Sequence, residues 1–231
     1  MFTFRQFTIN DDITAMKVGT DGVLLGAWAS GGNSILDAGT GTGIIALMMA
    51  QRFPSACITA VDIDEAACRQ AKANINATTF KDRIETRKIS LQQLADEATE
   101  GQYDAIVCNP PYFQNSLKSP YKQRNMARHA DTLSCRELMK SSQKLLKPTG
   151  TLCIIAPCDL KDDFDSEAVF CGMTPKQTVI IKTSPKKMPK RFMAEYSTQF
   201  VTSPEEETQC LTDGNGNRTE WYSKLTGEFY L

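Results

Sequence analysis

The sequence has a single histidine, His129, and its eight cysteines form no Cys-x-x-Cys pair. Structural zinc sites combine closely spaced cysteines with histidines, so we expect no metal centre. A histidine-based catalytic triad would depend on His129 alone. Cys57 and Cys153 lie in apolar runs, which is typical of small buried side chains in a reducing compartment.

Long apolar runs are also missing. No segment approaches the roughly 20 apolar residues of a membrane-spanning helix, and the first residues lack the basic-then-apolar layout of a signal peptide. We therefore expect a cytoplasmic protein with no membrane partner. The 231 residues, 41% hydrophobic and 23% charged, suit one large domain. We predict this domain at residues 34–231, preceded by an N-terminal cover segment at 1–33, and favour a monomer.

The chain has no excess charge of one sign, since its net charge is −1. Basic residues nevertheless cluster after Tyr112 and again between Lys182 and Arg191, and an acidic stretch follows at Glu205. A basic face within a neutral chain is typical of nucleic-acid binding. The alternative is a pair of solvated loops.

Strand-like and helix-like segments alternate between residues 34 and 156. Repeated βα units predict a doubly wound, mostly parallel sheet of the α/β class. Two further strands at 178–182 and 192–199 lack a helix between them, so we expect an antiparallel hairpin there, giving seven strands in all. A breaker cluster, K-P-T-G at 147–150, is expected to separate a helix from the strand at 152–156.

A glycine-rich string, D-A-G-T-G-T-G at 37–43, connects the first strand of this region to a helix. Glycines let the backbone turn sharply and let a ligand approach closely, at the edge of the sheet where ligands bind. The spacing is G-x-G-x-G, which disfavours a NAD-linked dehydrogenase with its G-x-G-x-x-G. We expect S-adenosyl-L-methionine (AdoMet) here, with Asp37 facing its amino acid and sulfonium; the alternative is a purely structural turn.

Asp62 ends the next strand, about twenty residues beyond the glycines, where an acid typically accepts hydrogen bonds from ribose hydroxyls. We expect Ile63 to pack on adenine and Asp64 to cap the following helix. Capping is also the alternative role for Asp62. Ser90, after the third strand, is a candidate acceptor for the adenine amino group.

The tetrapeptide Asn109-Pro110-Pro111-Tyr112 follows another strand. Its prolines lack N–H donors, so nearby carbonyl groups remain free as acceptors. The Asn109 side chain and the Pro110 carbonyl would each accept one N–H of a planar amine, and Tyr112 would stack on its ring. Alignment and desolvation would then promote methyl transfer without a metal or a strong base. The alternative is a proline-rich turn.

Residues 34–157, with D-A-G-T-G-T-G and N-P-P-Y, resemble Rossmann-like class I methyltransferases that methylate amino nitrogens. Three further strings, T-D-G-V-L-L-G-A-W at 20–28, N-P-P-Y-F-Q-N-S at 109–116 and R-N-M-A-R-H at 124–129, resemble the bacterial tRNA1(Val) (adenine-37 N6)-methyltransferases. This resemblance implies that Asn109, Pro110 and Tyr112 hold the target base. It also implies that Lys17 and Asp21 lie near the cofactor pocket.

Two candidate sets follow from the motifs and the resemblance together. The catalytic candidates are Asn109, Pro110, Pro111 and Tyr112. The cofactor-binding candidates are Lys17, Asp21, Asp37, Gly39, Gly41, Gly43, Asp62, Ile63, Ser90 and Asn109.

A tRNA partner gives the basic clusters a role, because the target would lie in the loop of the anticodon stem-loop, where extruding a base costs less than breaking a pair. We expect the cluster after Tyr112 to meet phosphates flanking the target, and the hairpin tip to contact the stem. His129 would meet a base or a phosphate, or serve a structural role. The candidate RNA contacts are Lys118, Lys122, Arg124, Arg128, His129, Lys186, Lys187, Lys190 and Arg191.

Three alternatives remain open. An rRNA guanine N2-methyltransferase often has Phe at the position of Tyr112 and a second domain, for which this length leaves no room. A protein glutamine methyltransferase would not need a basic hairpin. A non-catalytic RNA-binding module would not need intact glycines, Asp62 and N-P-P-Y together.

Overall fold

The structure, a computed structural model, describes residues 1–14, 17–99, 101–110 and 133–231. The strands in these ranges are β1 Phe2–Thr3, β2 Thr8–Ile9, β3 Ser34–Ala38, β4 Cys57–Asp62, β5 Ile84–Lys88, β6 Tyr103–Cys108, β7 Leu146–Pro157, β8 Thr174–Lys182, β9 Arg191–Ser197 and β10 Glu205–Cys210. The helices are α1 Thr20–Trp28, α2 Ile44–Arg52, α3 Glu65–Asn76, α4 Leu91–Glu97, α5 Cys135–Leu145, α6 Lys161–Phe170 and α7 Glu220–Thr226. None of these helices is long and apolar enough to span a bilayer.

Eight strands form one sheet in the order β10-β8-β9-β7-β6-β3-β4-β5. Neighbouring strands are parallel except at β9, which runs antiparallel to both β7 and β8. The predicted mostly parallel sheet with an antiparallel hairpin is confirmed. The strands predicted at 178–182 and 192–199 correspond to β8 and β9.

The sheet has one strand more than the seven predicted. Strand β10 pairs in parallel with β8 at the edge of the sheet, and its first residues, Glu205 to Glu207, are exposed. Charged side chains on an edge strand discourage pairing with other chains. Because β10 lacks apolar alternation, the hydrophobic pattern gave no sign of a strand in this acidic stretch.

The core lies on both faces of the sheet. Ile35 and Leu36 are adjacent and fully buried, yet they belong to different apolar clusters because successive strand residues point to opposite faces. Helices α1, α2, α3 and α7 contribute to the cluster around Ile35, and α4, α5 and α6 to the cluster around Leu36. This two-sided covering holds the carboxyl ends of the strands in register.

Helix α1 packs between α2 and α7. Its residues from Gly22 to Ala27 are all buried, because both sides of the helix are covered. The chain ends meet nearby, since the Arg5 backbone N–H donates to the Phe229 carbonyl and the Arg5 Nε to the Tyr230 carbonyl, at 2.9 and 2.7 Å. The N-terminal segment therefore contacts both α2 and the C-terminus.

Two local expectations are wrong. Cys57 is exposed because it is the first residue of β4, although all eight cysteines are free, as a reduced protein requires. Strand β7 begins at Leu146 and includes the K-P-T-G segment instead of following it. Its extra residues are accommodated by an irregularity in pairing, since Tyr103 lies opposite Leu146 and Ala105 opposite Thr151.

Candidate active site

The turns after three adjacent strands bring the motif residues together. Strand β3 lies between β4 and β6, and all three are parallel. The glycine loop follows β3, Asp62 ends β4, and Asn109 directly follows β6. Two cavities open at this edge of the sheet, and both are lined by Gly39, Gly41, Asn109 and Pro110.

Asp37 is fully buried and anchors the glycine loop from behind. Its Oδ2 accepts hydrogen bonds from Thr40 Oγ1 at 2.7 Å and from the Ala46 backbone N–H at 3.1 Å. Burial raises the pKa of this carboxyl to about 7, although those two hydrogen bonds oppose the rise. Asp37 lines neither cavity and supports the loop through these hydrogen bonds, while its contact with the cofactor stays a prediction.

Gly41 and Gly43 of the loop have different surroundings. Gly41 has a φ of +55°, and a Cβ built on it would meet nothing within 4 Å, so its backbone is open to both cavities. Gly43 has a φ of +83°, and its Cβ would lie 3.3 Å from the Cα of Ala71 in α3. Gly43 lines neither cavity and allows close packing of α2 on α3, while its contact with the cofactor stays a prediction.

The Asp62 carboxylate is fixed at the mouth of the smaller cavity. Its Oδ2 accepts a hydrogen bond from the Gly41 backbone N–H at 3.0 Å, and its Oδ1 accepts from the Asp64 backbone N–H at 2.9 Å. Asp64 in turn accepts from the Ala66 N–H and caps α3, as predicted. Both oxygens of the Asp62 carboxylate are therefore held by backbone N–H groups at the wall of this cavity.

The smaller cavity has a volume of about 620 Å³ and is lined by Asp62 and Ile63 opposite Ile89, Ser90 and Gln92. This volume suits a nucleoside-sized ligand. The hydroxyl of Ser90 is occupied in the cap of α4, since it accepts from the Gln93 N–H and donates to Gln93 Oε1. A role for Ser90 in accepting the adenine amino group therefore competes with this cap.

Asn109 and Pro110 stand where the two cavities meet. Both residues line both cavities. A group held in the smaller cavity and a group held in the larger one can thus react beside Asn109. Pro111 and Tyr112, the other two catalytic candidates, lie outside the described residues.

The larger cavity has a volume of about 1010 Å³ and extends from the glycine loop to the start of β9. Lys17 and Asp21 line this cavity and not the smaller one, on the side of α1. The Nζ of Lys17 donates a hydrogen bond to the Asp11 carbonyl. Lys190 and Arg191 also line this cavity, and the Arg191 Nε donates a hydrogen bond to Asp21 Oδ2 at 2.8 Å.

The basic hairpin residues fall into two pairs. Lys186 and Lys187 are exposed in the β8–β9 loop and line neither cavity, whereas Lys190 and Arg191 lie in the wall of the larger one. The placement of Arg191 at the hairpin tip is therefore wrong, because it is the first residue of β9. The remaining RNA candidates, Lys118, Lys122, Arg124, Arg128 and His129, lie outside the described residues.

Cysteine chemistry is disfavoured at this site. Cys108 lines the smaller cavity and Cys158 the larger one. Burial raises the pKa of both thiols, so both remain protonated and weakly nucleophilic.

In the ranges that the structure describes, no group of three or more His, Cys, Asp or Glu residues is arranged to hold a metal ion.

Sequence reasoning missed several residues of the cavity walls. Gln92 in the smaller cavity and Thr20 and Asp159 in the larger one were not among the candidates. Gln92 and Asp159 each follow a strand of the parallel sheet, and that position was the available signal for both. Thr20 begins α1 next to Asp21, within the string T-D-G-V-L-L-G-A-W at 20–28.

Comparisons with known proteins show the family of this chain. The family model of the methyltransferase small domain matches residues 19–174. A tRNA1(Val) (adenine(37)-N6)-methyltransferase from Bacteroides fragilis is 44% identical over 233 residues, covering 100% of this chain and 97% of the relative. The protein of the same name from Trichodesmium erythraeum is also 44% identical, with the same coverage.

Among solved structures, a predicted O-methyltransferase from Agrobacterium tumefaciens superposes with a TM-score of 0.71 at 15% identity, covering 90% of this chain and 96% of that one. This likeness shows the shared fold. The relatives match the chain over its full length, including the α1 segment and the β8–β9 hairpin that line the larger cavity. The chain belongs to the family of tRNA1(Val) (adenine(37)-N6)-methyltransferases.

Proposed function

We propose that this protein transfers a methyl group from AdoMet to the N6 amino group of adenosine 37 in tRNA1(Val), in the cytoplasm. The observation that carries the proposal is the position of Asn109 and Pro110 at the junction of the two cavities. A methyl donor on one side and an acceptor base on the other would meet there. Family membership supplies the identity of the base and of the tRNA.

The smaller cavity fits the nucleoside part of AdoMet. Asp62 would accept hydrogen bonds from the ribose hydroxyls, and Ile63 would pack on the adenine. Gly39 and Gly41 carry no side chain where the cofactor crosses into the larger cavity, and there Lys17 and Asp21 would lie near its amino-acid end. When bound, AdoMet supplies an electrophilic methyl group on a good leaving group.

Asn109 and Pro110 would prepare the attacking amine. The lone pair of an exocyclic amino group is delocalised into the ring, which makes it a poor nucleophile. Hydrogen bonds from its two N–H groups to the Asn109 side-chain oxygen and the Pro110 carbonyl would orient the lone pair towards the methyl group. Because the methylated nitrogen loses its proton readily, alignment contributes more than a strong base would.

The larger cavity would receive the extruded adenosine, and the β8–β9 loop would meet the rest of the anticodon stem-loop. Lys186 and Lys187 are exposed beside Met188, whose side chain is 81% exposed. Ammonium groups next to an apolar side chain suit phosphates next to unstacked bases. The loop therefore favours an RNA substrate over a protein glutamine.

The test is a substrate panel. The protein is incubated with labelled AdoMet and, in separate reactions, with unmodified tRNA1(Val), ribosomal subunits or a release factor, and the labelled product is identified after digestion. We expect N6-methyladenosine at position 37 of the tRNA. Label in rRNA or in a glutamine side chain, with the tRNA unlabelled, would contradict the proposal.

A further inference from the structure

Arg191 lies in the wall of the larger cavity, which the glycine loop also lines. Its Nε donates a hydrogen bond to Asp21 Oδ2 at 2.8 Å, and its Nη1 donates to the Lys190 carbonyl at 3.1 Å. Asp21 belongs to the first turn of α1, whereas Arg191 begins β9. The guanidinium is therefore held by a helix that is far away in the chain and by the carbonyl of the preceding residue.

These contacts leave donors of the guanidinium free. A guanidinium has five N–H donors in a rigid plane. Nη2 donates no hydrogen bond to any residue that the structure describes. The Arg191 side chain is about one-third exposed, at 35%, so a ligand in the cavity can reach it. A fixed planar donor in a cavity wall suits directional recognition more than loose attraction.

The local charge favours a neutral acceptor for these donors. The Asp21 carboxylate offsets the charge of Arg191, which weakens attraction to a phosphate but leaves the N–H groups as directed donors. Lys190 also lines the cavity, and its ammonium forms no ion pair with a described carboxylate. A backbone phosphate would therefore bind Lys190 more strongly than Arg191. The free N–H groups of Arg191 would then be available to an uncharged acceptor on the base.

We propose that Arg191 reads the target base by donating a hydrogen bond to a ring nitrogen of the adenine, with Asp21 as the residue that positions its guanidinium. This inference rests on the proposed function. Adenine carries such acceptors at N1, N3 and N7. The N6 group would lie at Asn109 while Arg191 holds another edge of the same ring, so the two contacts together fix the base in its plane.

The experiment pairs variants with base analogues. Anticodon stem-loops carrying adenosine, 1-deazaadenosine, 3-deazaadenosine or 7-deazaadenosine at the target position are methylated under single-turnover conditions. The enzymes are the wild type, Arg191→Ala, Arg191→Lys, Asp21→Asn and the control Arg69→Ala. Arg69 also pairs with a carboxylate, that of Glu65, but is 64% exposed and lines neither cavity.

We expect one analogue to slow the wild type and Arg69→Ala by about tenfold more than it slows Arg191→Ala. Removing a ring nitrogen also changes the reactivity of the amine, but that effect is common to all the enzymes and cancels in the ratio. Arg191→Lys, which lacks the planar fork, should resemble Arg191→Ala. In Asp21→Asn the analogue should slow methylation by an intermediate factor, because the guanidinium loses its ion pair with the Asp21 carboxylate.

The inference would be overturned if each analogue slowed methylation, relative to adenosine, by the same factor in the wild type and in Arg191→Ala. An Arg191→Ala variant whose defect is entirely a weaker AdoMet affinity, measured by calorimetry, would also overturn it, because Arg191 would then serve the cofactor. Both results leave adenosine methylation by the wild type intact and so leave the proposed function standing. A wild type that methylates none of the four stem-loops would overturn both proposals.

Discussion

The Gly41 backbone N–H donates a hydrogen bond to Oδ2 of Asp62, with 3.0 Å between the two atoms. The bond ties the glycine loop after β3 to the end of β4 and fixes the carboxylate that faces the smaller cavity. The shape of the glycine loop and the wall of the smaller cavity thus depend on the same side chain. A change at Asp62 should affect both.

Asp62→Ala should therefore weaken AdoMet binding strongly. Hydrogen bonds to a charged group contribute about 1.5–3 kcal/mol, which corresponds to a loss of roughly tenfold to a hundredfold in affinity. Calorimetric titration with AdoMet measures this loss. Asp82→Ala, an exposed aspartate outside both cavities, is the control. Equal affinities for the Asp62 and Asp82 variants would refute the assignment.

Gly41→Ala should abolish cofactor binding for reasons of space as well as strain. An alanine at its φ of +55° costs about 1–2 kcal/mol, and the added methyl would project into the space that the two cavities share. Gly172→Ala is a matched control, since Gly172 has a φ of +74°, an equally open surrounding and no place in either cavity.

Both glycine variants should lose similar stability in thermal unfolding, and Gly41→Ala alone should lose AdoMet binding. If both variants bind AdoMet like the wild type, the glycine loop is not part of the cofactor site.

Asp37 should make stability depend on pH. Its carboxyl has a pKa of about 7 in the folded protein against an ordinary value of 3.8, so folding favours the protonated form. Its contribution to stability is complete below about pH 4 and is lost as the pH rises through about 7. Relative to Asp37→Asn, the wild type should therefore lose stability across this window and level off above it.

Urea unfolding of both proteins at a series of pH values from 5 to 8 measures the difference. The exposed Asp82→Asn serves as the control, because its difference from the wild type should stay nearly constant over the same range. If the free energies of unfolding of the wild type and Asp37→Asn differed by the same amount at every pH, burial of this carboxyl would not shift its pKa.

Lys186 and Lys187 should contribute to tRNA affinity through phosphates. Replacing both with alanine should make the slope of log affinity against log salt concentration shallower by about one to two units. Each phosphate contact contributes roughly 0.7–0.9 to the magnitude of that slope. Filter binding at several salt concentrations gives the slope. The double variant of Lys81 and Lys224, both exposed and outside the cavities, should keep the wild-type slope. An unchanged slope for the hairpin variant would remove this loop from the RNA-binding surface.

Features that depend on residues close together in the chain could be predicted from the sequence. Asp62 ends a strand, Asn109 directly follows one and Gly41 lies in the loop after one, and the parallel sheet brings such positions to one edge. The hairpin of β8 and β9 was predictable because no helix separates the two strands. Asp64 was predictable as a cap from its place before α3.

Features that depend on distant contacts escaped prediction. Asp21 and Arg191 are 170 residues apart, and no local pattern connects them. The role of Asp37 depends on its complete burial, which the motif does not reveal. Strand β10 forms through backbone pairing with β8, and its exposed glutamates resemble a solvated tail. The sequence contains the capping box S-x-x-Q of Ser90 and Gln93, and its hydrogen bonds occupy the hydroxyl that we predict as an acceptor for adenine.

The most direct test of the central claim is the single-turnover rate of Asn109→Ala on unmodified tRNA1(Val), measured together with its AdoMet affinity. We expect the rate to fall about a hundredfold or more, with AdoMet affinity close to that of the wild type, because the variant would no longer align the amine. A near-normal rate, or a loss explained entirely by weaker AdoMet binding, would contradict this expectation.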